Sequence, residues 1–148
     1  MRDILFRGKR IDNGEWVYGD LYHGKEDNIF IEYWTVDKEY RPYEVDPKTV
    51  GQYTGLDDCK DNKIFEGDIV KYQLDNDDCL FLNKNTKPII GKIFFSDFRA
   101  SFSVTAGRNG STSMNNDLFR YVRGNNRVKV IGNISDNPEL LEVKQNDN

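Results

Sequence analysis

The chain has 148 residues, enough for one domain or for two small lobes. Aromatic residues make up 13% of it and hydrophobic residues 37%, enough buried area to offset chain entropy and exclude a disordered polymer. A net charge of −4 does not advertise a nucleic-acid binder, and no run approaches the roughly 18 apolar residues of a membrane span.

In chain order, Leu5 to Tyr22 reads as a β-hairpin with Asn13-Gly14 at its apex, where Asn-Gly supplies positive φ values. Trp16, Val17, Tyr18 and Tyr22 favour the returning strand. Asn28 to Tyr33 predicts a second short strand. A polar stretch with Pro42 follows, and Pro47 biases Val45-Asp46 toward extended backbone. Asp57 to Asn62 reads as a charged loop. Ile64-Phe65 re-enters the core, Glu66-Gly67 turns, and Asp68 to Tyr72 is a strand. Gly67 fits a backbone conformation that a Cβ penalises.

Gln73 to Lys87 reads as a polar loop with an apolar island at Leu80-Phe81-Leu82. Ile89 to Phe95 predicts a strand bent or bulged at Gly91. Ser96 to Arg99 turns into Ala100 to Thr105, whose alternation predicts a strand with one wet face carrying Ser101 and Ser103. Ala106 to Met114 reads as a loop. Asn116 to Val122 predicts one or two helical turns, capped by Asn115 or Asn116, with Leu118, Tyr121 and Val122 on one face. Arg127 to Ile134 is a strand with Val128 and Val130 inward. Asn137-Pro138 opens a short helix, with Asn137 as cap and Pro138 at its first position. No βαβ alternation is present, which argues against a parallel sheet. The later strands have the count and spacing of a small SH3-like barrel.

Candidate chemistry is sparse. His23 is the only histidine, and Cys59 and Cys79 are far apart, so the ligand set of a zinc site is missing. Asp75-Asn76-Asp77-Asp78 resembles the start of a calcium loop, but Leu80 and Thr86 stand where the turn glycine and the bidentate glutamate are needed. Glu66 with Asp68, and Asp57 with Asp58, are carboxylate pairs on turns, where nothing separates their pKa values for acid–base work. Ser101 and Ser103 have no histidine near them, and Gly51 to Gly55 lacks the Lys-Ser/Thr of a phosphate loop. One charge feature stands out. Arg108, Arg120, Arg123, Arg127 and Lys129 face Asp117 alone, a window of +4 in a chain whose remainder carries −8. Phe119 and Tyr121 interleave with its arginines, as on a surface that binds phosphates and stacks bases. The competing expectation is that these aromatics are core and the arginines pair with acidic loops.

Three blocks carry a family resemblance: "FRGKRIDNGEWVYGDL" (Phe6 to Leu21), "VDPKTVGQYTGLDDCKDNKIFEGDIVKY" (Val45 to Tyr72) and "VKVIGNISDNPELL" (Val128 to Leu141). Together they resemble the YopX family of phage and prophage proteins. The resemblance implies a mostly-β fold with an SH3-like barrel and a phage or prophage source in Gram-positive bacteria. It implies no catalytic residues.

The expected architecture is therefore mainly β. An N-terminal β-hairpin and extended subdomain spans 1–62, an SH3-like barrel 63–143, and a frayed tail 144–148, with one or two short helices. The expected function is a non-enzymatic binding module, a phage accessory protein with a protein or nucleic-acid partner. The alternative is a structural protein that assembles through sheet edges, a homo-oligomer. No cofactor, metal or membrane is expected. The apolar run at Ile4-Leu5-Phe6 is too short for a secretory signal, so the expected location is the host cytoplasm.

Overall fold

A computed structural model describes residues 1–34, 36, 38–73, 88–106 and 116–142, with backbone only for Trp34 and Asn116. Arg108, the apolar island at Leu80-Phe81-Leu82, the Asp75 to Asp78 loop, Cys79, most of the Ala106 to Met114 loop and the tail lie outside the described residues. The fold is mainly β, with antiparallel pairing throughout and short helical turns. Contacts divide the chain into two units, Met1–Gly55 and Leu56–Asn148.

In the first unit, β1 (Phe6–Lys9) and β2 (Trp16–His23) form the expected hairpin, in register Phe6 to Gly19 through Lys9 to Trp16. At its apex only Gly14 takes a positive φ, +72°; Asn13 instead accepts the Glu15 N–H through Oδ1 at 3.0 Å. β3 (Ile29–Trp34) pairs with β2, and Tyr22 stacks on its cross-strand neighbour Phe30 at 5.1 Å. β4 (Tyr40–Glu44) pairs with β3. The polar stretch around Pro42 is thus a strand that composition hid. An edge strand tolerates a residue with no N–H to give.

Asp46 is extended before Pro47, as expected, with φ −68° and ψ 118°, and a 3-10 turn follows at Pro47–Thr49. Val45 bridges to Arg10 at the end of β1, with Ile11 N–H on Glu44 O at 3.1 Å and Asp46 N–H on Lys9 O at 2.8 Å. The bridge ties the end of β4 back to β1, so the four strands curl around Val17, Ile31 and Val45. Space there is tight: a Cβ on Gly19 would stand 1.9 Å from the Glu32 carbonyl oxygen. β5 (Gly51–Asp57) pairs with the other end of β1 and runs on into the second unit.

In the second unit, Asp57 leads through a tight loop to β6 (Lys63–Phe65), then to β7 (Asp68–Tyr72). The turn between β6 and β7 is the one the sequence announced. Gly67 takes φ +87°, and the buried Asp68 carboxylate accepts the Phe65 N–H at 2.8 Å. β8 (Ile89–Ser96) pairs with β7 through its first half and with β9 (Ser101–Val104) through its second. The two-residue β10 (Asn116–Asp117), the helix α1 (Phe119–Val122) and β11 (Val128–Asn133) complete it. The sheet order is β10-β9-β8-β7-β11, with β10 and β11 as its edges among the described residues.

Three local expectations change. The β7–β8 ladder runs through Gly91 without a bulge; Gly91 is needed because a Cβ would meet Thr105 O at 2.5 Å. The bulge sits in β11, between Val130 and Gly132. Asn137 holds the N-cap position of the 3-10 turn Pro138–Leu141 with Pro138 next, as expected, but its side chain does not cap the turn; Oδ1 accepts the Asn133 N–H at 3.2 Å instead.

The core of this unit joins Ile64, Val70, Tyr72, Ile93, Val104, Leu118, Tyr121 and Val128. Each fully buried aliphatic side chain there contributes roughly 1.5–3 kcal/mol. Leu118 and Tyr121 face inward as the helical spacing predicts, and Val130 packs against the cluster.

A candidate binding surface at the open end of the second sheet

Cross-strand partners share a face, so Ile93 with Val104 and Phe95 with Phe102 lie on the same side of the β8–β9 ladder. The first pair is core, with 1% exposure each. The second continues that row one pair past the core, and there Phe95 is 43% exposed. The two rings meet edge to face at 5.4 Å. Beyond them the turn holds Phe98, 97% exposed, followed by the exposed Arg99. An inward-facing apolar row therefore ends in solvent.

α1 begins at this end. Leu118 N–H donates to Phe102 O at 3.1 Å, which sets the first turn of the helix beside the hairpin. Just before the turn, Asp117 Oδ1 accepts the Phe119 N–H at 3.1 Å; the expected cap at Asn115 or Asn116 lies outside the described side chains. Leu118 and Tyr121 point into the core, which leaves Phe119 outward at 54% exposure. Arg123 N–H closes the turn on Phe119 O at 2.9 Å, so Phe119 and Arg123 share one face at i, i+4 spacing.

The basic window separates into distinct roles. Arg120 and Arg123 are on or next to α1, and Arg123 is exposed. Arg127 turns inward. Its guanidinium lies 5.8 Å from the centre of the Tyr121 ring, and its Nη2 donates to Arg120 O at 3.4 Å. Lys129 is exposed on β11 with Lys71 as its cross-strand neighbour. The two competing expectations divide the window between them: Tyr121 is core and Arg127 braces it, while Phe119 and Arg123 face outward. Ser103, expected on a wet face, is fully buried, and its Oγ has no hydrogen-bond partner among the described residues.

The carboxylates of the turns are structural. Asp58 is 2% exposed and accepts backbone N–H groups from Lys60, Asn62 and Val130 at 2.8, 2.9 and 2.9 Å. Burial alone pushes its carboxyl up; the three donors outweigh that and hold it below the usual range. Burial pushes the Tyr72 hydroxyl above its usual value, with Tyr121 beside it, and the hydroxyl donates to Thr105 O at 2.9 Å. Among the described residues no three His, Cys, Asp or Glu side chains gather as a metal site, and no helix is long and apolar enough to cross a membrane.

Among the described residues of the first unit, two clefts share the exposed Ile11 in their lining. The larger, about 390 Å³, is lined by Lys9, Arg10, Asp46, Pro47 and Thr49 among others. Its polar groups are engaged in the fold. Thr49 Oγ1 accepts the Lys9 N–H at 2.8 Å and donates to Asp46 O at 2.7 Å. Arg10 stacks 4.1 Å over Tyr43 and pairs with Asp12, whose carboxyl that hydrogen bond holds below its usual range.

Known proteins share this architecture. A family model described as YopX protein matches residues 5–142. The chain belongs to the YopX family. This YopX-family chain is also similar in structure to protein EF1440 from Enterococcus faecalis, at 22% identity and a TM-score of 0.52. The match covers 96% of this chain and 100% of that one. At that identity the likeness shows the fold alone. No curated protein matches the chain.

Sequence pattern flags Phe119 but not Phe95, Phe98 or Phe102. Phe98-Arg99 and Phe119-Arg120 share a Phe-Arg pair, but so does Phe6-Arg7, whose arginine is buried, so the pair alone does not mark a surface. Alternation reads Phe98-Arg99 only as turn and strand, because it does not say where a core ends.

Proposed function

We propose that this YopX-family chain is a phage or prophage accessory protein of the host cytoplasm that acts by binding and not by catalysis. The observation that carries this reading is the inward-facing row of β8 and β9 that continues into solvent at Phe95, with Phe98 and Phe119 exposed beside it. Exposed aromatics gathered at one corner mark an interaction surface more often than scattered single residues do. The buried carboxylates Asp58 and Asp68 are taken up by backbone donors, which supports a structural role for them over acid–base chemistry. An SH3-like description of the second unit fits the way β8 is shared between β7 and β9.

Assembly through sheet edges fits less well. β4 carries Pro42, β6 has three residues and β10 two, and β11 has its edge taken by Asp58 and Cys59, whose N–H donates to Val128 O at 2.9 Å. Short, proline-bearing or covered edges are the devices that prevent such pairing.

The test is affinity capture of the tagged protein from induced lysogens, with and without nuclease, beside the Phe98→Ala/Phe119→Ala variant. A discrete partner, polypeptide or nucleic acid, is expected with the wild type and lost with the variant. Equal recovery with both proteins contradicts the proposal.

A further inference from the structure

We infer that the open corner formed by the β8–β9 hairpin and α1 binds single-stranded nucleic acid, with bases on the phenylalanine rings and phosphates on the neighbouring arginines. The inference rests on the binding reading above and names its partner class. Each of the two most accessible rings is followed by an arginine: Phe98 by Arg99, and Phe119 by Arg120. Arg123 stands one helical turn from Phe119 on the same face. Arg99 and Arg123 are exposed and form no ion pair among the described residues. Exposed rings stack bases, and cations beside them neutralise the phosphates of a single strand. Protein interfaces also enrich aromatics and arginine but deplete charge at their core, whereas here Asp97, Arg99, Asp117 and Arg123 stand beside the rings. Duplex DNA hides its base faces, so exposed rings gain nothing from it.

Asp97 and Asp117 are exposed at the same corner. They weaken the local field, so stacking has to supply more of the affinity than phosphate neutralisation does. That makes the aromatic variants decisive. Phe98 and Phe119 are exposed, so removing either ring leaves the core intact.

The experiment is fluorescence anisotropy of the full chain with labelled oligothymidylate across a salt series, with a blunt duplex of matched length as competitor. Binding is expected to weaken with salt with a log–log slope of about −1.4, from the exposed Arg99 and Arg123 at about −0.7 each. Phe98→Ala and Phe119→Ala should each weaken binding by about 5- to 160-fold, the span of one lost base stack. Arg99→Gln and Arg123→Gln should each flatten the slope by about 0.7. The duplex should compete poorly. No binding at low salt, binding that both phenylalanine variants retain in full, or stronger binding of the duplex each overturns the inference. If the oligonucleotide fails while phenylalanine-dependent capture of a polypeptide persists, the partner class is wrong and the binding reading stands. If both fail, both fall.

Discussion

The Asp58 carboxylate accepts the Val130 N–H at 2.9 Å across 72 positions of the chain. The same side chain also holds the Lys60 and Asn62 amides, so one buried group shapes the β5–β6 loop and lays it along the free edge of β11. Asp58→Ala removes the acceptor from three backbone donors. We expect a loss of about 3 kcal/mol in urea unfolding, within the range for buried donors left without partners. The uncovered β11 edge should also make the variant associate at high concentration, visible by light scattering.

Asp58 has a further consequence in acid. Its folded pKa lies below its unfolded value, so the stability it contributes is fully present above about pH 4, the ordinary aspartate value. It is lost as pH falls through that value toward the folded one. The urea midpoint of the wild type should therefore drop on the acid side. Asp58→Asn, which cannot titrate, should start lower and drop less over the same range.

Tyr72 gives the opposite limb. Its folded pKa is raised above the unfolded value near 10, so its contribution is present below about pH 10 and declines as pH rises past it. Alkaline unfolding followed by tyrosinate absorbance should start later in Tyr72→Phe. At neutral pH that variant should cost about 1 kcal/mol, the net worth of the bond to Thr105 O.

Two glycines of the first hairpin separate conformational cost from steric cost. Gly14 sits at φ +72° with nothing within 4 Å of where a methyl would stand, so Gly14→Ala should cost about 1–2 kcal/mol from backbone strain alone. At Gly19 a methyl would strike the Glu32 carbonyl, which is fixed in the β2–β3 ladder. Gly19→Ala should cost about 3 kcal/mol or more, the upper end for overpacking. Equal urea midpoints for the two variants would contradict this separation.

Much of the fold was legible because local chemistry dictated it. Asn13-Gly14 marked the first hairpin, Glu66-Gly67-Asp68 the turn into β7, and the spacing of Leu118, Tyr121 and Val122 the buried face of α1. β4 was not legible, since Pro42 reads as a strand breaker unless the strand is known to be an edge. Nor was the bulge after Val130. Gly91 showed itself only as a glycine in a strand, and whether it marks a bulge or a close approach depends on Thr105, fourteen positions away.

The candidate site was half legible. Charge counting found Arg120 and Arg123, but it also collected Arg127, which the fold turns onto Tyr121, and Lys129, which lies beside Lys71. The exposed rings of Phe95 and Phe98 were hidden because period-two alternation assigns a face and not an exposure. A row that is core at Ile93 and open at Phe95 has a single pattern.

The central claim is that this corner of the second unit, and no other surface, receives the partner. It is tested most directly by amide chemical-shift mapping of isotope-labelled protein as oligothymidylate is added. Shifts are expected to gather at Phe95, Phe98, Arg99, Phe102, Phe119 and Arg123. Shifts gathered instead around the Ile11 clefts, or along Lys71 and Lys129, would contradict it.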